Sequence, residues 1–88
     1  MNHLIHRLEQ LQMREAVVHE KLTTCITYQS AILDFTIREG SRCQRTAIED
    51  IVLAVNRIEM DLRTECCQLK LEQALITSEM QFTEGATT

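Results

Sequence analysis

An all-α fold, an antiparallel two-helix hairpin of coiled-coil type with its hinge at Gly40, is what three features of this sequence predict. Apolar residues recur at helical spacing on both sides of Gly40. Gly40 is the only glycine before position 85, and the chain contains no proline. Folded back at that point, the two halves bring apolar layers into register.

The hinge is the stretch Arg38-Glu39-Gly40-Ser41-Arg42-Cys43-Gln44. Glycine there is free to adopt the left-handed conformation that ends a helix, with Arg38 in the last turn against the negative dipole end. Ser41 and Gln44 have capping-box spacing for a second helix, and Thr46 and Glu49 repeat that spacing about one turn later. The reading is therefore one hairpin over residues 1–80, with helix 1 at about 2–39, helix 2 at about 42–80, and a flexible polar tail at 81–88.

In helix 1 one heptad row takes Leu4, Leu11, Val18, Cys25 and Ile32, and a second takes Leu8, Glu15, Leu22, Gln29 and Thr36. Ile5, Ile26 and Leu33 flank them and widen the stripe. The segment Thr23 to Tyr28 is rich in β-branched residues, which weaken a helix by a few tenths of a kcal/mol each, roughly. Because the apolar phase runs through it without a slip, one helix is expected rather than two. In helix 2 the stronger row is Ile48, Val55, Leu62, Leu69 and Ile76. Its second row reads Ile51 and Ile58, then Glu65, Glu72 and Glu79. The far half continues instead through Cys66 and Met80, as a period of 3.6 drifts against 3.5.

Folding at Gly40 pairs residues whose numbers sum to about 80. Leu11 then shares a layer with Leu69, Val18 with Leu62, Cys25 with Val55 and Leu22 with Ile58. Glu15 falls opposite Glu65, so two carboxylates meet unless they splay or pair with Arg14 or Arg63. Arms of about 40 residues would be roughly 55–60 Å long at about 1.5 Å per residue.

The composition narrows the function. Eighty-eight residues make one domain, 44% hydrophobic and 25% charged, with a formal net charge of −4. Charge of both signs is spread along the chain without a basic stripe, which argues against nucleic acid and against an anionic membrane surface. The N-terminus has no signal-peptide apolar core, and no apolar run approaches the roughly 20 residues of a span. A cytoplasmic protein is expected. Cys25, Cys43, Cys66 and Cys67 read as reduced thiols, and there is no CxxC, no glycine-rich phosphate loop and no Ser-His-Asp set. His3 and His6 lie one turn apart, with His19 farther along, but a pair needs two more ligands to hold a metal. No catalytic residues, no metal, no cofactor and no small-molecule substrate are expected.

What remains is an apolar surplus. Near the hinge, Ala31-Ile32-Leu33-Asp34-Phe35-Thr36-Ile37 is apolar on nearly every side of a helix, and Tyr28 shares a face with Phe35. One facing helix cannot cover all of this. Ile26, Tyr28, Leu33, Phe35 and Ile37 are therefore the expected partner-binding residues.

With this hairpin, its glycine hinge and its apolar flank, the chain resembles the small helical-hairpin co-chaperones of bacterial type III secretion systems, the YscE/SsaE-like family. The resemblance lies in Leu4-Ile5-His6-Arg7-Leu8-Glu9-Gln10-Leu11, Arg38-Glu39-Gly40, Ala47-Ile48-Glu49-Asp50-Ile51 leading to Ile58-Glu59, and Ala74-Leu75-Ile76-Thr77-Ser78-Glu79. It implies a non-enzymatic role: binding and stabilising a tetratricopeptide-like chaperone that holds the needle subunit before export. The alternative is a homo-oligomeric helical adaptor or regulator, two hairpins self-associating into a four-helix bundle.

Overall fold

The computed structural model describes residues 2–87, and the side chains of residues 3–82. Two helices account for almost all of it: α1, Asn2–Glu39, and α2, Arg45–Thr87, joined through a 3-10 turn at Gly40–Arg42. They pack against each other along their lengths as a rod of 70 × 16 × 15 Å. The second helix runs on to Thr87, past the expected end near residue 80.

The helix α1 is continuous through Thr23–Tyr28, and two threonine hydroxyls there are satisfied within it. The hydroxyls of Thr24 and Thr27 donate to the carbonyls of Glu20 and Thr23, at 3.0 and 2.9 Å. Each of these hydroxyls is thus satisfied by the preceding turn of its own helix, a bond that slightly weakens the helix without ending it.

The hinge departs from expectation. Gly40 does not have a positive φ, so it is not a left-handed helix cap. The chain tightens into the 3-10 turn instead, closed by the Cys43 amide donating to the Gly40 carbonyl at 3.1 Å. Glycine is favoured there by crowding: a Cβ would lie 3.2 Å from Cγ2 of Thr36. The Thr36 hydroxyl is itself committed to the Ile32 carbonyl at 2.7 Å. Neither expected capping box forms the start of α2. Ser41 lies in the turn, and Thr46 is already inside the helix. The Gln44 carbonyl accepts the first bond, from the Ile48 amide at 3.1 Å, and Arg45 spans the first turn to Glu49 at 3.0 Å.

Inward-facing residues of α1 follow the two expected heptad rows without exception: from Leu4 to Thr36, only those positions are buried or half-buried. In α2 the stronger row is also as expected, and in the far half Cys66 and Met80 turn inward as expected, but Ile51 and Ile58 do not. Val52, Glu59, Cys66, Gln73 and Met80 face inward, one position beyond Ile51, Ile58, Glu65, Glu72 and Glu79. A one-residue change rotates a helical side chain by about 100°. Ile51 and Ile58, expected in the seam, are therefore on its flank and more than half exposed.

The polar seam positions explain how this phase is tolerated. The Gln73 amide donates to Glu15 Oε1 at 2.8 Å, and the Gln29 amide donates to Glu59 Oε1 at 2.7 Å. Glu15 thus meets Gln73 and not Glu65, and the expected carboxylate clash does not arise. Because residues 40–44 separate the helices, facing residues centre on numbers summing to about 84 and not 80; Glu15 and Gln29 reach partners on one side of that centre, and Cys25, its thiol 3.6 Å from the Val55 carbonyl, reaches one on the other. No buried side-chain polar atom among the described residues lacks a partner.

Candidate partner-binding surface

The hairpin has two unlike halves. Away from the hinge, Leu11, Val18, Cys66, Leu69 and Ile76 form a buried cluster with Leu4, Leu8, Leu62 and Met80 packed against it. Toward the hinge, no residue from Ile26 to Ile58 is buried. Apolar side chains are abundant there, yet they lie around an open groove of about 630 Å³.

Both helices build this groove. From α1, Tyr28 and Phe35 stand one heptad apart on the flank, with Ile32 of the seam beside them. From α2, Ile51 and Ile58 stand one heptad apart on the facing flank, with Ile48 of the seam beside them. Phe35 is 51% exposed and Ile58 is 55% exposed. An aromatic pair facing an aliphatic pair across a shallow floor is a surface shaped to receive apolar side chains from another helix.

The same two flanks change chemistry at mid-length. On α1 the row preceding Tyr28 and Phe35 is Arg7, Arg14 and Lys21, and on α2 the row following Ile51 and Ile58 is Glu65, Glu72 and Glu79. Arg7 reaches Glu72 at 3.7 Å. This face is thus basic against acidic over the closed core, and apolar against apolar over the hinge half.

Of the five residues expected to bind a partner, all are exposed, but they do not form one surface. Tyr28 and Phe35 line the groove. Leu33 lines a smaller cleft of about 170 Å³ on the opposite flank, with Val52 and Leu53. Ile26 and Ile37 line neither cleft. Ile51 and Ile58 were assigned to the seam and so missed as surface residues. Their row's change from isoleucine to glutamate was the available signal, since a row that turns uniformly acidic suits a flank better than a seam.

Outside the groove, the polar side chains are engaged locally. Hydrogen bonds from Gln73 and then His19 hold the Glu15 carboxyl below the usual carboxylate range. Those from Gln29 and then Arg63 do the same for Glu59, with Arg63 at 2.7 Å in an i, i+4 pair. The four cysteines are free thiols, Cys25 and Cys66 buried in the seam and Cys43 and Cys67 exposed. No helix among the described residues is long and apolar enough to cross a membrane. Compared with protein-family models, with characterised proteins and with solved structures, the chain finds no match.

Proposed function

We propose that this chain is a non-enzymatic interaction module of the cytoplasm whose hinge-proximal groove takes an apolar helix from a protein partner. The observation that carries this reading is the open apolar groove itself, where Tyr28 and Phe35 face Ile51 and Ile58 with no element among the described residues laid over them. Leaving such a patch in water is unfavourable by about 25 cal/mol per Å² of apolar surface, and a docked helix removes that cost. A helix-in-groove mode also matches the layer spacing, because anchors at i, i+3 or i+4, and i+7 would meet side chains set one heptad apart.

Within this class, the resemblance to the type III secretion hairpins supports a co-chaperone that stabilises a tetratricopeptide-like chaperone and, through it, a needle subunit. Such a chaperone is made of paired helices and offers apolar helical edges of the required kind.

The test is co-expression with a tetratricopeptide-like needle chaperone, followed by co-purification. Wild-type chain is expected to bring the chaperone into solution, while Tyr28→Ala with Phe35→Ala loses it and keeps its own helicity. Retention of the chaperone by that double variant would overturn the groove as the docking site. Failure of the wild type to bind, together with a concentration-dependent dimer in sedimentation that the double variant abolishes, would instead establish the self-associating four-helix adaptor.

A further inference from the structure

In the half of the hairpin away from the groove, the fold brings together three side chains that are separated in sequence. Glu15 and His19 are one turn apart on α1, and Cys66 faces them from α2. His19 Nε2 lies 3.1 Å from Glu15 Oε2 and 3.8 Å from Cys66 Sγ, and the donor atoms all fall within 4.8 Å of one another.

We propose that Glu15, His19 and Cys66 form a binding site for zinc or a similar divalent cation, with solvent water as the fourth ligand. Around a tetrahedral ion with bonds of about 2.0–2.3 Å, a sulfur and a nitrogen ligand stand about 3.6 Å apart, and a nitrogen and an oxygen about 3.3 Å apart. The His19–Glu15 and His19–Cys66 separations differ from these by only a few tenths of an ångström, and the Glu15–Cys66 separation, no more than 4.8 Å, closes by side-chain rotation on binding.

The surroundings favour the same use. Glu15 Oε1 is occupied by the Gln73 amide, which orients the carboxylate and leaves Oε2 toward His19. Cys66 supplies its sulfur from the buried side, while His19 is half-exposed and opens the site to solvent. On binding, the Cys66 thiol gives up its proton to water, and His19 coordinates through the nitrogen now facing Glu15, keeping its proton on the other. Thiolate and carboxylate then balance the charge of a divalent ion. This soft-and-borderline donor set selects zinc or cobalt over magnesium or calcium. The site is remote from the groove, and the two readings stand or fall separately.

Cobalt(II) titration of metal-free, reduced full-length chain tests the proposal, followed by competition with zinc. A thiolate-to-cobalt charge-transfer band is expected at one equivalent, displaced by zinc. His19→Ala, at an exposed position, and Cys66→Ser should each weaken binding at least tenfold, whereas Cys67→Ser should leave it unchanged. Circular dichroism reports whether each variant is folded, and His19→Ala decides the matter if Cys66→Ser is not. Absence of the band in the wild type overturns the site. So does a band of undiminished affinity in folded His19→Ala, which would place the metal on other cysteines.

Discussion

The two halves of the hairpin use the same heptad plan to opposite ends. Away from the hinge, leucine, valine and isoleucine close over one another, and the flanks carry Arg7, Arg14 and Lys21 against Glu65, Glu72 and Glu79. Toward the hinge, equivalent flanks carry Tyr28 and Phe35 against Ile51 and Ile58, and no residue is buried. Seam rows make the helices pair in both halves. Flank rows decide whether the paired surface is finished or left to accept something else. In a two-helix rod every flank borders solvent, so a change of flank chemistry converts a self-sufficient segment into an adhesive one without altering the backbone.

The comparison can be broken most severely at the closed core. Leu69→Ala, at a site only 4% exposed, is expected to cost about 2–5 kcal/mol of stability in denaturant unfolding. A loss below about 1 kcal/mol would mean that this half is no better packed than the other. Next in size is Phe35→Ala, expected to weaken association with a partner by about 1–3 kcal/mol in calorimetry while leaving the free chain's unfolding curve nearly unchanged. If it destabilises the free chain as Leu69→Ala does, the groove is core and the contrast between halves collapses.

Ile58→Ala sharpens the same contrast. Reading Ile58 as a seam residue would predict a stability loss of roughly 2–4 kcal/mol. Its exposed position predicts about 1 kcal/mol or less, with the effect appearing in association instead.

Acidification probes the two Gln–Glu pairs, one in each half. The Glu15 and Glu59 carboxyls both titrate lower in the folded chain than when unfolded. Their contribution is therefore complete above the ordinary carboxylate value of about 4.3 and is lost as pH falls through the lowered folded values. Thermal midpoints measured across that window should fall, and less steeply in Glu15→Gln and Glu59→Gln. An unchanged slope in both variants would remove the pairs from the account. The smallest effect belongs to Gly40→Ala. Without a positive φ to accommodate, reduced freedom in the unfolded chain offsets the close Thr36 contact, and stability should move by less than about 1 kcal/mol. A larger loss would show that the turn needs glycine's conformational range after all.

How much of this was legible in the residues depended on the helix. In α1, Leu4, Leu11, Val18, Cys25 and Ile32 alternate with Leu8 and Leu22 strongly enough to define both rows, polar members included. In α2 the spacing reads Ile51 and Ile58 into the seam, whereas Val52 and Glu59 occupy it. Hydrophobicity alone misleads there, because Glu59 faces inward only by virtue of Gln29, on another helix and 30 residues away. The hinge differs for a related reason: a glycine at a helix end reads as a left-handed cap, while the crowding by Thr36 is apparent only in three dimensions. Tyr28 and Phe35 were recognised as surplus. That they oppose Ile51 and Ile58 required the phase of α2.

The two Gln–Glu pairs also act as a key for alignment. They sit two heptads apart on each helix, with glutamate contributed by α1 in one pair and by α2 in the other. Sliding α2 by a single heptad would set Glu15 against Cys66 or Met80, and Gln29 against Val52 or Cys66, leaving four polar groups without partners. Sliding it by two would bring Glu15 onto Glu59 in one direction, and Gln29 onto Gln73 in the other. Leucine and isoleucine layers are nearly interchangeable under such slips, so they say little about which alignment is correct. The crossed pairs accept one alignment and reject its neighbours, much as the teeth of a key fit a single rotation of the lock. That alignment also holds the aromatic and aliphatic flanks opposite each other, so the geometry of the groove is written in residues that never touch it.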